Sequence, residues 1–222
     1  MSYIKTIVCF ANSRSESGRC IAGKEWQHEG PGAWVRSIRH PAAHAIPIST
    51  QKLQGGRDLQ PLDILSINFD RHHPQDHQTE NHIITQNSTW SKRASLSWTD
   101  IDKWLDNPET LWGTDRVVYQ SDTFSNSLFL VKVPQIKLSI VTRSPGNKAI
   151  QGHFNYKHFS YCLDVTDPAI ESIYLAGEEG PFIIQNPILC ISLAQFWRRE
   201  RADGATVAYK LIAAILYRER FL

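Results

Sequence analysis

A chain of 222 residues with 41% hydrophobic side chains can bury a real core, which argues against an intrinsically disordered chain. Its formal net charge of +2 neither demands nor excludes an anionic partner, although a dedicated duplex-binding domain often carries a denser basic patch. No apolar run approaches the roughly 18 residues of a membrane span, no signal peptide opens the chain, and no C-x-x-C pair is present, so free thiols in a reducing cytoplasm are expected.

In chain order, "YIKTIVCFA" (3–11) reads as a strand. The basic, turn-prone "NSRSESGRC" follows, then "CIAGKEW", then the Gly/Pro break "EGPG". "AWVRSI" (33–38) is the next strand, 39–61 a long loop rich in Pro and Gly, and "LDILSINF" (62–69) a strand. A strongly polar segment, "DRHHPQDHQTEN", precedes the strand "HIITQ". The type of "STWSKRASLSW" is left open. A short helix is expected near 98–106, capped by Ser97 or Thr99, with Ile101, Trp104 and Leu105 on one face and Pro108 beyond its end.

The second half carries strands at 127–133 and 136–142 around Pro134, a turn at 143–148 and a hairpin at 150–165. A helix near 168–175 has Asp167 or Thr166 as cap, Pro168 in its first turn, and Gly177 after its end. A buried strand (187–194), a basic hairpin tip or loop (196–207) and a strand (208–216) complete the chain. Many short β segments, two short helices and no βαβ alternation predict an all-β fold of small barrels or a sandwich. The expected domains are 1–114 and 115–222.

Four polar stretches are candidates for function. Arg14, Arg19 and Lys24 follow the first strand, where arginine forks bind phosphate or a base edge and the backbone near Gly18 and Gly23 lets an anion approach. The plain alternative is a solvated turn. Trp34 and Arg36 share a strand face, a pattern that stacks a base and pairs a phosphate; alternatively Trp34 is core and Arg36 snorkels outward. His72, His73, His77 and His82 lack any metal-ligand spacing, so neither a metal nor a cofactor is expected. Gln78, Asn81 and His82 suit the reading of base edges, and Glu80 with His82 is a candidate acid–base pair. Finally, Arg198, Arg199 and Arg201 lie beside Phe196 and Trp197, with Tyr209 and Lys210 expected on the same surface. No nucleophile elbow or dinucleotide fingerprint appears.

The strings "IKTIVCFANSRSESGRCIAGKE", "GAWVRSI", "HQTENHII", "DNPETLW", "TDPAIE" and "AYKLIAAIL", in that order and over nearly the whole chain, resemble the bacterial dual-OB-containing domain family. The resemblance implies two OB-like barrels that bind nucleic acid or a nucleotide within a prokaryotic defence or conflict system. It implies no enzymatic activity. Its polar motif positions fall on Asn12, Ser13, Arg14, Gly18, Arg19, Cys20, Gly23, Trp34, Arg36, Gln78, Glu80, Asn81, His82, Tyr209 and Lys210. Ser37-Ile38 stands where the family usually has Pro-Val/Ile, and Ser15-Glu16 where it often has Lys or a small residue; both weaken a phosphate grip.

The leading expectation is a module that holds single-stranded nucleic acid by arginine contacts and aromatic stacking. One alternative is an enzyme acting on a modified nucleotide or nucleic acid through an Arg/Glu/Asn/His pocket. Another is an adaptor that docks a protein encoded in the same locus.

Overall fold

The computed structural model describes residues 2–15, 18–28, 30–41, 43–51, 53, 56–86, 90–176, 182–199 and 204–221. The chain forms two compact units, 1–105 and 106–222.

The first unit contains β1 (Tyr3–Ser15), β2 (Gly18–Gln27), β3 (Gly30–Ile38), β4 (Asp63–His72), β5 (Asn81–Ile84) and β6 (Ser91–Ser95). β1 is long enough to serve two neighbours. Tyr3–Val8 pairs with β4, and Ile7–Ser15 pairs with β2. A bulge between Cys9 and Ala11 marks the bend between these halves. β5 runs parallel to β3 and pairs with the C-terminal half of β4, while β6 takes the N-terminal half of β4. β5 and β6 are thus two pieces of one edge, and the order β1-β2-β3-β5-β4 closes back on β1. This is the Greek-key order of an OB barrel. Ile7, Cys9, Ile21, Val35, Leu65 and Ile67 fill its interior. Gly23 sits where β2 crosses β1 closely; a Cβ there would run into the Val8 carbonyl oxygen.

The second unit contains β7 (Val117–Tyr119), β8 (Leu128–Lys132), β9 (Gln135–Ser144), β10 (Asn147–Tyr156), β11 (Phe159–Val165), α1 (Pro168–Tyr174), β12 (Phe182–Gln185), β13 (Ile188–Leu193), β14 (Trp197–Arg198) and β15 (Thr206–Leu216). β8 and β9 are one strand broken at Pro134, and β12 and β13 are its partner broken at Pro187. Proline has no N–H to give the ladder. Here the breaks face each other, and the flanking amides bridge them: Val133 N donates to the Pro187 carbonyl (3.1 Å) and Asn186 N to the Pro134 carbonyl (2.8 Å). With β9-β10-β11 in sequence and β15 parallel to β11 and antiparallel to β13, the same five-strand closure results.

The helix expected at 98–106 is a 3-10 helix, Trp98–Trp104, capped by Ser97. The second is α1, with Asp167 as its cap and Pro168 in its first turn. Its expected stop, Gly177, lies outside the described residues. The segment 208–216 belongs to strand β15. Among the described residues, no helix is long and apolar enough to cross a membrane.

Asp167 ties three parts of the second barrel together. Its carboxylate accepts from Ala169 N (3.1 Å), from Ile215 N (3.0 Å) and from the Arg220 guanidinium. It is 2% exposed. Removing one partner of a buried ion pair leaves the other uncompensated. Asp167→Ala is expected to lower the unfolding free energy by about 3–5 kcal/mol in urea titrations, with Asp167→Asn losing less because it still caps the helix.

Candidate nucleic-acid interface

The opening basic stretch forms the tip of the β1–β2 hairpin, where Arg14 and Arg19 are cross-strand partners. Arg14 is exposed and Arg19 half-buried. The Arg19 backbone exchanges both hydrogen bonds with Ile46 (2.9 and 2.8 Å), which fixes the base of the tip.

The structure brings Arg36, Gln78, Glu80 and Asn81 together at the β3–β5 junction, but inside the protein, while His82, next along β5, packs instead against Tyr3, Phe69 and His72. Arg36 is 5%, Glu80 6% and Asn81 0% exposed. Arg36 Nε donates to Glu80 Oε1 at 3.3 Å, Arg36 N to the Glu80 carbonyl at 2.8 Å, and Asn81 Nδ2 to Gln78 Oε1 at 3.4 Å. Trp34 and Arg36 do share a face, as alternation requires, but that face is covered. Trp34 lies against Phe10, with Lys24 Nζ 5.1 Å above its ring. Lys24 is itself buried, donating to the Trp104 carbonyl at 2.7 Å. These side chains act on one another rather than on solvent.

The Tyr3 hydroxyl and His82 Nδ1 share a hydrogen bond (2.6 Å), and the His82 ring lies 4.6 Å, ring to ring, from His72. His72 Nε2 donates to the Thr79 carbonyl (2.7 Å). Burial, with His72 and Lys5 nearby, pushes His82 down to about 4. Among the described residues, no group of three or more His, Cys, Asp or Glu is placed to hold a metal ion.

Tyr209 and Lys210, expected on one surface, point to opposite sides of β15. Lys210 is 2% exposed, donates to the Gly113 carbonyl (2.9 Å), and is lowered by burial to about 8. Tyr209 points out. The first residues of β15 leave the barrel and form a three-stranded arm with β14 and β7. Trp197, Val207 and Tyr119 lie in one row across it, with Tyr209 two residues beyond Val207. The arm's other face buries Val118 and Ala208 against Leu193, with Phe196 and Trp112 packed alongside. Trp197 is therefore turned outward, 58% exposed, with Tyr119 at 40% and Tyr209 at 38%. Arg198, next along β14, is exposed on the opposite side of the strand. Arg201 lies outside the described residues.

Sequence reasoning named Trp197 and Tyr209 but not Tyr119, whose only signal is the short apolar run Val117-Val118-Tyr119. It also missed a cleft of about 520 Å³ on the outer face of β9–β11, lined by Gln135, Lys137, His153, Asn155, Ser160 and Cys162 among others. In register, Cys162, His153 and Lys137 form one row across this face. Alternation within the expected 150–165 hairpin was the signal available. Because β15 runs parallel to β11, the arm and the start of β11 lie at the same end of the barrel.

The His82 environment makes a pH prediction. The folded state resists protonating His82 until about pH 4, whereas an unfolded histidine takes its proton near 6.5. Between these values the unfolded chain binds more protons, so stability falls as pH drops from 6.5 towards 4. Chemical denaturation across this window should show that decline, and His82→Gln should flatten it.

The model of the dual OB-containing domain matches residues 5–215. Among solved structures, the tetrameric p202 HIN2 aligns over 97% of this chain and 92% of that chain, at 12% identity; its TM-score of 0.27 is too low to carry weight. No curated protein matches the chain. With that match spanning nearly its whole length and the same five-strand closure in both units, the chain belongs to the dual OB-containing domain family.

Proposed function

We propose that this protein binds single-stranded nucleic acid, with the arm of the second barrel as its stacking platform. The observation that carries this reading is the exposure of Trp197, Tyr119 and Tyr209, all at least 38%, around the buried Val207 on one face of the arm. The β14 side of the arm lies in the connection between the fourth and fifth strands of the barrel, and β7, which precedes the first strand, completes it. OB barrels take oligonucleotides on the face of strands two and three and on this connection. With strands about 4.8 Å apart and same-face residues about 6.7 Å apart along a strand, Trp197 and Tyr119 stand about 10 Å apart across Val207 and Tyr209 about 8 Å from each, so the three rings are spaced to take separate bases of one strand. Every base has a π-face, and stacking contributes about 1–3 kcal/mol per base without reading sequence.

Arg198 on the arm and Lys137 and His153 in the cleft supply charge and hydrogen bonds along the path of the backbone. Arg14 and Arg19 present a second basic edge on the first barrel. The near-neutral net charge of +2 fits binding by stacking more than by charge alone. The buried Arg36–Glu80 pair, Asn81 and His82 belong, in this reading, to the architecture of the first barrel rather than to a reaction. A place in a prokaryotic defence locus, with a partner protein encoded beside it, is part of the same proposal.

The test is a titration of the full-length protein with fluorescent single-stranded DNA and RNA at two salt concentrations. Trp197→Ala/Tyr209→Ala should weaken binding by at least tenfold with little change in salt slope, because stacking releases no counterions. Arg14→Ala/Arg19→Ala should reduce the slope. Unchanged affinity in the arm variant would overturn the reading.

A further inference from the structure

In the first barrel, the outer face of β2 and β3 is the surface an OB barrel turns towards a single strand. Here the chain itself lies on it. The Trp104 ring stacks on Trp26, centroids 5.6 Å apart and planes at 25°, and packs on Phe10 at 5.6 Å. Lys24 and Trp34 are cross-strand partners beneath it. The Lys24 ammonium, lying over Trp34, is held by the Trp104 carbonyl oxygen. None of Phe10, Trp34 and Trp104 belongs to the barrel's interior cluster; they form an aromatic layer outside it.

We infer that the first barrel holds a second, latent face for single-stranded nucleic acid, closed by Trp104 sitting where a base would stack. Indole, like purine, is a six-membered ring fused to a five-membered one. On Trp26 it takes the offset, near-parallel pose that a purine takes on an aromatic side chain. Lys24 meets a carbonyl oxygen where a phosphate oxygen would serve as well. Trp26 stays 44% exposed, so one edge of the stack is already open to a ligand.

The cover is lightly built. It is a seven-residue 3-10 helix, whose hydrogen bonds are poorer than those of an α-helix, and it is seated by two buried side chains, Ile101 and Trp104. At its surface Lys103 pairs with Asp100 at 2.6 Å, an ion pair within the helix rather than to the barrel. The second barrel is the contrast. Its corresponding face carries His153, Asn155 and Ser160 exposed, and it opens as the cleft. A purine-bearing strand that displaces Trp104 would gain the Trp26 and Trp34 faces and the Lys24 charge.

This inference rests on single-stranded nucleic acid as the ligand, and its test is separable from that of the arm. Oligo-deoxyadenylates of graded length are titrated against full-length wild type, Trp104→Ala and Trp104→Ala/Lys24→Met, with Trp197→Ala/Tyr209→Ala in parallel. Trp104→Ala, which removes the stacked ring and one of the cover's two seats, is expected to lengthen the occluded site by a few nucleotides and tighten binding several-fold; the bound strand then displaces the residue-104 carbonyl from Lys24 and steepens the salt slope by about one phosphate, which Lys24→Met should remove. A folded Trp104→Ala protein with unchanged site size and salt slope overturns the latent face. Arm variants that bind like wild type overturn only the platform. Should Trp104→Ala fail to fold, hydrogen exchange of residues 96–105 in the wild type decides: faster exchange with saturating oligo-deoxyadenylate supports displacement, and unchanged exchange overturns it.

Discussion

Both barrels close because their first strand bonds two neighbours at once. In the first unit a single strand bends at the Cys9–Ala11 bulge and gives its halves to β4 and β2. In the second, Pro134 breaks the strand into β8 and β9, and the break is matched across the ladder by Pro187. From this closure follow the parallel β3–β5 and β11–β15 pairings and the positions of the connecting loops at the barrel rims. The β1–β2 tip with its two arginines and the arm before β15 are both rim features. They are prominent because the strands that carry them run past the barrel wall.

Polar groups are spent differently in the two units. In the first, Arg36 and Glu80 form a buried pair. The net stability from such a pair is small, because desolvation opposes attraction. Its consequence is geometric: with the Arg36 amide also bonded to the Glu80 carbonyl, it fixes how β5 enters beside β3. A slip of one residue would turn every side chain of a strand to the wrong side. In the second unit, Arg116 and Arg143 both pair with Asp164, on the half-exposed outer face of β11, where solvent screens them. That face keeps a polar, open character.

Much of the fold was legible from residues alone. β-branched and aromatic runs marked the strands, and Asp167-Pro168 marked the start of α1, because caps and N1 prolines act locally. The direction in which a strand face points was not legible. Alternation places Trp34 and Arg36 on one side, yet only the tertiary position of Trp104 decides that this side is covered. Likewise Tyr209 and Lys210 are neighbours in sequence, and alternation alone separates them; which one is buried depends on where Gly113 lies. The arm depends on pairings between residues some ninety positions apart, Tyr119 with Val207, which no local pattern encodes. The overall resemblance to the dual OB-containing domain family supplied the barrel count, and the strand pairings supplied its physical basis.

The central claim is that the second barrel's arm stacks bases. The most direct measurement is photocrosslinking of the full-length protein to a single strand carrying 5-iodouracil, with the adducts mapped by peptide mass spectrometry. The account predicts adducts on Trp197, Tyr119 and Tyr209. Efficient crosslinking with none on these three residues would contradict it.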